Sequence, residues 1–572
     1  MIREEREKMS LQETRYRKTV NIFFILLLFA GVLFRLWKVP YNFHYFDEAY
    51  YYMSSYRLTQ GDAFFTDDCS LMQFSLVSLY PFVRLYCSVT GGTEGLIVAG
   101  RTFFVFVHAV CTVGVYLLLR KKSPGSALCA AMMYFLYAQW YRSELSFYQI
   151  FLDMLLLSML FVASEGGIKQ RAIPGGYFFA VSVLACPYIV IAYLLYTALC
   201  ICLKLSGKEK KDFFNIKTWL YFTLGCAAAA AIFLLFMAWK SEIGKIAEIL
   251  PMYFSDSTHP LGFSASKTAV MLQRFVHRLQ ITDYVLLAAA LFEAADRKRL
   301  ERRKIYAAVV LAAAFVGTAA ETALSGLEGA DMTLRLCILG LDCYLLCKER
   351  DRKLFYSVWL FGWLLGICLF SASDMMSEVV LMSGWIMSAM AGVCFMIRLV
   401  SELKNDKAAG RPLRLCLLFL CTALAVTQLG IEGRNNLPKR RWELYCSLDY
   451  GIGKGEVISE PELVYEQDGL WAATEKVRNA PGDYVLYFSD DIWPYLEDTK
   501  RCATFNAWMQ TEHDVYEAEK LLKYWEIHPE KKPDAIYISK NNGHPEKILE
   551  MVNTENFPVE ENERGYELVR PQ

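Results

Sequence analysis

Residues 21–37 of the chain read NIFFILLLFAGVLFRLW, and residues 44–57 read HYFDEAYYYMSSYR. The first stretch is apolar and long enough to cross most of a bilayer core of about 30 Å, because a helix rises about 1.5 Å per residue. Six cationic side chains precede it: Arg3, Arg6, Lys8, Arg15, Arg17 and Lys18. No small-residue cleavage site follows it. The sequence therefore predicts an uncleaved membrane anchor, followed by a loop with two adjacent carboxylates.

The composition of the whole chain agrees with a membrane protein. Hydrophobic residues make up 55% of the 572 residues, aromatic residues make up 15%, and the mean hydropathy is +0.24. These values argue against a purely soluble enzyme. The 60 Lys and Arg residues balance the 60 Asp and Glu residues, so no overall basic field favours nucleic acid as a partner.

Further long apolar runs follow the first one: 98–119, 126–141, 146–163, 176–203, 218–239, 281–295, 305–324, 332–347, 354–370, 379–400 and 413–430. The run 176–203 has cationic residues beyond both ends and Pro187 near its middle, which predicts two short helices in a hairpin. Counting that run twice gives about 13 crossings. The sequence therefore predicts an all-α polytopic membrane protein.

The distribution of Lys and Arg predicts the orientation, because cationic loops stay in the cytoplasm. With 13 crossings the N-terminus is cytoplasmic and the C-terminus lies outside the cell membrane. The cationic stretches then fall in inner loops: 120–122, 297–304, 348–353 and 404–414. Two predicted outer segments, 38–97 and 240–280, are long enough to build a site. Amphipathic helices are expected there, for example over 47–60 and 73–87.

The composition becomes polar beyond residue 430. From residue 435 onward the chain carries 27 Asp and Glu residues against 16 Lys and Arg residues. The segments 484–488 and 535–538 predict strands, and 514–525 predicts a helix between them. We therefore predict a membrane domain over 1–430 and a small α/β extracytoplasmic domain over 431–572.

Asp47 and Glu48 are the strongest chemical signal in the chain. At the mouth of an apolar bundle, burial and like-charge repulsion are expected to raise the pKa of one carboxyl group while the other stays ionised. Such a pair suits proton abstraction from a hydroxyl. The alternative is that both carboxylates only stabilise the positive end of a helix.

This loop resembles the first outer loop of the GT-C membrane glycosyltransferases, in particular the protein O-mannosyltransferase and aminoarabinose transferase branch. In that branch an Asp-Glu pair precedes a small or aromatic run and then a Gly-Asp pair. Here Asp47-Glu48-Ala49-Tyr50-Tyr51 is followed by Gly61-Asp62, with thirteen residues between Glu48 and Asp62. The single span before the loop, Gly100-Arg101 at the second span, and the split fifth and sixth spans extend the resemblance over residues 1–430.

The resemblance implies an inverting enzyme that moves a hexosyl or pentosyl group from a polyprenyl-phosphate donor to a glycan, lipid or protein acceptor on the outer face. It implies that Asp47 is the general base and that Glu48 orients the acceptor, or the reverse. The departing phosphate needs cations. The outer-face residues that we assign to it are Arg57, Arg101, Arg142 and His259. Contact with lipid head groups is the alternative for each arginine.

The remaining predicted site residues would contact the sugar or the acceptor: Asp67, Asp68, Gln73, Glu144 and Tyr148. Where aminoarabinose transferases have a Glu-Lys pair, this chain has Asp67, Asp68 and Gln73, which suit sugar hydroxyls or a divalent cation. A polar turn that caps the next helix is the alternative. No HxxH-type spacing is present, so we assign no metal ligands.

Two other classes of protein stay open. A transporter or lipid-carrier flippase would also have many spans, but here the acidic residues collect in outer loops, and only the Pro187 break interrupts a helix. A catalytically silent membrane sensor is the third class. A transferase predicts that Asp47, Glu48, Arg101 and Arg142 converge on one outer cavity open to lipid, whereas a transporter predicts a site within the membrane.

Overall fold

The computed structural model describes residues 2–40, 47–69, 77–137, 144–208, 214–253, 265–295, 303–325, 329–372, 378–405, 430, 446–447, 458–459, 469–509 and 513–571. Its helices before residue 406 are α1 Ile2–Lys38, α2 Asp47–Gln60, α3 Tyr80–Thr90, α4 Leu96–Leu119, α5 Pro124–Leu136, α6 Phe147–Ala163, α7 Ile168–Ala185, α8 Val190–Leu205, α9 Ile216–Lys240, α10 Ile246–Tyr253, α11 Ala265–Arg278, α12 Ile281–Ala295, α13 Arg303–Ser325, α14 Gly329–Leu346, α15 Phe361–Ala372 and α16 Glu378–Asn405. A turn at Arg352–Leu354 and a π-helical segment at Phe355–Leu360 lead into α15.

The apolar runs form the helices that the sequence predicts. Within the described chain, seven helices are long and apolar enough to cross a membrane, and an eighth crossing results if α11 and α12, bent by 105°, count as one. The apolar helices α5 and α6 are shorter. The chain is therefore a polytopic membrane protein. The run 413–430 lies outside the described residues, so the count of 13 stays a prediction.

The predicted break in the run 176–203 is present at Pro187. Helix α7 ends at Ala185, a 3₁₀ turn covers Pro187–Ile189, and α8 begins at Val190. Proline has no backbone N–H, so a helix cannot continue through it without losing a hydrogen bond. Helix α7 begins at Ile168, eight residues before the predicted run.

Helices α8 and α9 pack against each other, and two polar contacts lie between these otherwise apolar helices. The Tyr193 and Thr223 hydroxyls are 2.8 Å apart, and the Trp219 indole N–H donates to the Thr197 hydroxyl at 3.0 Å. Tyr193 precedes Thr197 in α8, whereas its partner Thr223 follows Trp219 in α9. The two helices therefore run antiparallel.

Helix α2 has the predicted bounds, but its environment differs from the prediction. An amphipathic helix at a membrane surface exposes one face, whereas α2 is buried on all sides along Ala49–Ser55. The helix lies between the membrane helices and the C-terminal domain, and both partners cover it. The second loop helix, α3, begins at Tyr80, and the predicted start at Gln73 lies outside the described residues.

The C-terminal domain is the predicted small α/β unit. Strands β1 Cys446–Ser447 and β2 Ile458–Ser459 form an antiparallel pair. The main sheet contains β3 Tyr484–Phe488, β4 Arg501–Cys502, β5 Ala535–Ser539, β6 Val559–Glu561 and β7 Gly565–Val569 in the order β4-β3-β5-β7-β6. Strand β3 is parallel to β4 and β5, and β7 is antiparallel to β5 and β6. The helices are α17 Glu475–Asn479, α18 Pro494–Glu497, α19 Asp514–Ile527 and α20 Pro545–Val552.

Contacts at the two ends of α4 identify two opposite faces of the molecule. At one end of α4, Lys122 pairs with Asp351, and nearby Arg398 pairs with Glu349 at 3.0 Å. At the other end, about 36 Å away by the length of the helix, the Thr93 hydroxyl bonds the Leu496 carbonyl of the C-terminal domain. The structure therefore groups described parts of the predicted inner loops on one face and predicted outer elements on the opposite face.

Candidate functional site

The predicted carboxylate Glu48 is fully buried and forms an ion pair with Arg101. The Arg101 Nε and Nη2 atoms donate to the two Glu48 carboxylate oxygens at 2.5 and 2.6 Å. Arg101 Nη1 donates to the Val39 carbonyl at 2.6 Å, at the end of the first span. This bidentate geometry fixes the orientation of both side chains. Helix α2 is therefore tied to the C-terminal end of α1 and the N-terminal end of α4.

Tyr52 lies one helical turn after Glu48 and packs on Gly100. A Cβ atom at position 100 would collide with the Tyr52 ring and hydroxyl, so the small residue before Arg101 makes room for the tyrosine. Burial raises the pKa of Tyr52 well above its usual value, and the charges of Glu48 and Glu144 add to this effect. The Tyr52 hydroxyl is buried and has no hydrogen-bond partner within the described chain.

Glu144 completes what we call the rim cluster, made of Glu48, Tyr52, Arg101 and Glu144. Its side chain is buried and lies within electrostatic range of Arg101 and Tyr52. The predicted contact residue Tyr148 follows in α6. Its ring centre lies 4.1 Å from that of Phe147 with the two rings tilted by 35°, and Phe147 also contacts the ring of Tyr51. The structure thus brings three predicted site residues, Glu48, Arg101 and Glu144, to one place.

Sequence reasoning missed two cations beside the rim cluster, Arg35 and Lys38 in the last turn of α1. Both are buried, and Lys38 lies within electrostatic range of Arg35 and Arg101. Arg35 donates to the Phe135 carbonyl at 2.6 Å and the Tyr137 carbonyl at 3.2 Å, where α5 ends. Their position carried a signal, because two cations at the predicted outer end of an anchor are contrary to the positive-inside rule.

Basic and acidic side chains meet at the described rim. Arg35, Lys38 and Arg101 lie beside the carboxyl groups of Glu48 and Glu144. In a region of low dielectric constant, arginine and lysine side chains suit an anionic ligand such as a phosphate. Trp508 of the C-terminal domain lies over Tyr50 with the ring centres 5.9 Å apart, so this domain covers the side of α2 next to the cluster.

The predicted phosphate ligand Arg57 lies in a different place and has other partners. Its guanidinium is fully buried and donates to Asp62 at 2.6 Å and to the carbonyls of Asp67 and Thr504 at 2.5 and 2.8 Å. Lys531 pairs with both Asp62 at 2.6 Å and Asp67 at 2.8 Å. We call Arg57, Asp62, Asp67 and Lys531 the docking network, because it joins the first loop to the C-terminal domain.

The predicted sugar-binding residues Asp67 and Asp68 lie at the docking network, and their predicted role stays a prediction. Asp67 uses its side chain for Lys531 and the Ala63 N–H, and Asp68 is buried beside it. These carboxylates therefore have protein partners at the positions where we expected sugar hydroxyls or a divalent cation. Among the residues that the structure describes, no group of three or more His, Cys, Asp or Glu side chains is arranged to hold a metal ion.

The side chains of four predicted site residues lie outside the described part of the structure. The backbone of Asp47 begins α2, but its side chain lies outside the described part of the structure. Gln73, Arg142 and His259 also lie outside the described residues. Their predicted roles stay predictions.

A second polar cluster lies deeper in the bundle, between α4 and α6. His108 Nδ1 is 3.5 Å from Asp153, Gln149 donates to Asp153 at 2.7 Å, and the Tyr134 hydroxyl also bonds Asp153. All four side chains are buried. The partners of Asp153 thus come from α4, α5 and α6 within the bundle.

The sequence was also compared with known proteins. Neither protein family models nor curated protein sequences give a match to this chain.

Proposed function

We propose that this protein is a GT-C-like inverting glycosyltransferase that uses a polyprenyl-phosphate sugar as donor and acts on the outer face of the cell membrane. The observation that carries the proposal is the rim cluster. A buried bidentate Glu48–Arg101 pair, with Glu144, Arg35 and Lys38 around it, lies directly beside Asp47 in the sequence. Buried ionisable groups at a membrane mouth are costly, and they are typical of functional sites.

The proposed reaction uses the two adjacent carboxylates differently. The acceptor oxygen attacks the anomeric carbon, the bond from that carbon to the phosphate oxygen breaks, and Asp47 takes the acceptor proton. Polyprenyl phosphate leaves with the electron pair. Both Glu48 oxygens accept hydrogen bonds from Arg101, which fixes the position of the Glu48 side chain and suits an orienting role. The neutral Tyr52 hydroxyl is a further donor toward the acceptor or the sugar.

The leaving phosphate is the part of the reaction that needs positive charge. Negative charge accumulates on it in the transition state, and preorganised cations stabilise such charge strongly in a water-poor site. In this proposal Arg35, Lys38 and Arg101, which lie close together, act on the phosphate, and Arg142 and His259 join them. The resemblance of the Asp47–Asp62 loop to GT-C enzymes supports the same assignment.

The proposal includes 13 crossings, a cytoplasmic N-terminus and an extracytoplasmic C-terminal domain. The grouping of the cationic loops on one face supports this orientation. The rim cluster and the C-terminal domain then both lie outside, where a glycan, lipid or protein acceptor is available.

A transporter or lipid-carrier flippase is the second candidate, and one observation favours it. His108 and Asp153 form a buried polar cluster within the bundle, as expected for a substrate or proton pathway. The transferase is preferred because the larger set of charged groups lies at the rim, next to the Asp-Glu motif.

The test is Asp47→Asn in purified protein reconstituted in liposomes, with polyprenyl-phosphate hexoses and pentoses as donors and mass spectrometry of released polyprenyl phosphate. Loss of a general base should slow transfer by about 100-fold or more while the protein stays folded. Glu94→Gln, an exposed carboxylate on the same face, is the matched control and should retain activity. Near-normal transfer by Asp47→Asn, or donor movement across the bilayer without transfer, would contradict the proposal.

A further inference from the structure

An apolar groove lies between helices α6, α7, α8, α9 and α15, away from the rim cluster. Its cavity of about 470 Å³ is within the range of lipid and small-ligand pockets. Residues such as Tyr196, Leu199, Phe222 and Leu364 line it. The lining residues from Leu360 to Leu369, in α15 and at the end of the preceding π-helical segment, recur at the spacing of one helix face.

The groove opens sideways, toward the surface that we place in lipid. Leu195 and Leu364 line it, and 65% and 52% of their surfaces are exposed. Apolar side chains exposed to this extent on a membrane helix contact hydrocarbon chains. A lipid chain can therefore enter the groove laterally from the bilayer.

One end of the groove is polar and cationic. Arg171 lines it and is only 6% exposed, and its Nη1 atom donates to the Val162 carbonyl at 3.1 Å. Arg171 Nε and the Thr218 hydroxyl are both buried, and neither has a hydrogen-bond partner among the described residues. Two unsatisfied polar groups therefore border the same cavity.

Arg171 differs from three other buried arginines of the described chain. Arg57 pairs with Asp62, Arg101 pairs with Glu48, and Arg335 pairs with Asp283. Arg171 has no carboxylate partner in the described structure, and Glu165 in the preceding turn is exposed. A buried charge without a counter-ion is strongly destabilising. An anion bound in the groove would supply both the charge and the missing hydrogen-bond acceptor.

The polar end lies on the face opposite the rim cluster. Tyr356 and Ser357 line the groove within two turns of Asp351, which pairs with Lys122 of a predicted inner loop. Lys169 and Lys217, at the starts of α7 and α9, are exposed at the same level. Basic pockets between membrane helices on the cytoplasmic side are typical binding sites for anionic lipid head groups.

We propose that this groove binds an anionic membrane phospholipid from the cytoplasmic leaflet. Its phosphate oxygens accept hydrogen bonds from Arg171 Nε and the Thr218 hydroxyl, and one acyl chain lies between α8 and α15. The site is separate from the rim cluster, so the inference does not depend on the proposed glycosyl transfer.

The experiment measures the thermal stability of the delipidated full-length protein in detergent against added phosphatidylglycerol, phosphatidylcholine, polyprenyl phosphate or inorganic phosphate. Phosphatidylglycerol should raise the unfolding temperature in a saturable way, and phosphatidylcholine and inorganic phosphate should have much smaller effects. Arg171→Gln should raise the half-saturating concentration about tenfold or more, because it removes a charge-assisted contact. Thr218→Val should have a smaller effect in the same direction.

Two further variants separate the site from general attraction to a cationic face. Lys204→Gln removes an exposed cation in the last turn of α8 and should leave the lipid response unchanged. Ala192→Trp narrows the apolar part of the groove and should abolish the response while Arg171 is intact. Equal responses of the wild type and Arg171→Gln would overturn the proposal. A response to polyprenyl phosphate but not to phosphatidylglycerol would also overturn it, by identifying a different lipid.

Discussion

Glu48 and Arg101 are 53 residues apart in the chain, and each is buried against the other. A buried ion pair contributes little net stability compared with apolar residues, but removal of one partner leaves an uncompensated charge in a region of low dielectric constant. The energetic role of each residue therefore depends on the presence of the other. The same dependence holds Glu48 in one orientation beside Asp47.

We predict that Arg101→Gln lowers stability by about 3–5 kcal/mol, because it removes the cation that pairs with the buried Glu48 carboxylate. Glu48→Gln combined with Arg101→Gln should cost less than the sum of the two single substitutions. Unfolding of the four proteins in detergent, followed by intrinsic fluorescence, gives the coupling free energy. Additive losses would show that the two side chains do not interact.

The docking network predicts a pH dependence for the attachment of the C-terminal domain. Burial alone would raise the pKa of Asp62, but the charges of Arg57 and Lys531 lower it overall. Burial would lower the pKa of Lys531, but Asp62 and Asp67 raise it overall. The contribution of Asp62 is present above the ordinary Asp pKa of about 3.9 and is lost as the pH falls through its lowered value. That of Lys531 is lost only as the pH rises through its raised value.

Docking should therefore weaken below about pH 4. Hydrogen exchange of α2 and β4 at a series of pH values, corrected for the intrinsic exchange rate, measures it. Lys531→Gln should increase exchange at neutral pH, whereas Lys532→Gln, its less buried neighbour, should not. Equal protection at pH 3 and pH 7 would contradict this account.

At the scale of the elements, close packing between α7 and α9 depends on glycine. Gly176 on α7 lies against the backbone of Phe222, and Gly225 on α9 lies against the backbone of Ile173. Side chains at these positions would meet backbone atoms, which cannot move aside as a flexible side chain does. Small residues at such crossings let membrane helices approach closely. This contact also holds two walls of the apolar groove together.

We predict that Gly176→Ala destabilises the protein by about 1–3 kcal/mol or more, because the added methyl group overlaps the Phe222 carbonyl. Gly244→Ala is the matched control, since a Cβ atom there meets no other atom within 4 Å. The midpoints of thermal unfolding in detergent compare the two variants. If both midpoints equal that of the wild type, α7 and α9 do not pack as closely as described.

At the scale of the whole molecule, two faces are built from distant parts of the chain. The first loop, α10 and the C-terminal sheet share one hydrophobic core, which includes Cys69, Ile249 and Phe488. On the opposite face, the segments around Lys122, Asp351 and Arg398 meet through ion pairs. This arrangement is the basis for the proposed orientation, because the positive-inside rule assigns the cationic face to the cytoplasm.

The orientation predicts which positions react with a membrane-impermeant maleimide in intact cells. Thr554→Cys, exposed on the C-terminal domain, should be labelled without permeabilisation. Lys121→Cys, exposed after α4, should be labelled only after the membrane is opened. The wild type, with its native cysteines, gives the background signal. The reversed pattern would place the rim cluster on the cytoplasmic side and remove the proposed acceptors.

Local sequence patterns determined much of the fold. Apolar runs predicted the membrane helices, Pro187 predicted the break between α7 and α8, and 484–488 and 535–538 predicted β3 and β5. These features depend on hydropathy, backbone geometry and residue spacing within one segment, so a single stretch of chain is enough to show them. The Asp47-Glu48 pair was visible in the same way.

Only the tertiary structure decided the partners of the charged side chains. Arg101 and Arg57 looked alike as outer-face arginines, yet Arg101 pairs with Glu48, and Arg57 bonds a carbonyl 447 residues away in the C-terminal domain. The neighbours of Arg35 and Lys38 are known only from the packing of α4 and α5 beside α1. A charged side chain that is buried away from water needs a partner, and its burial depends on which distant segments pack together.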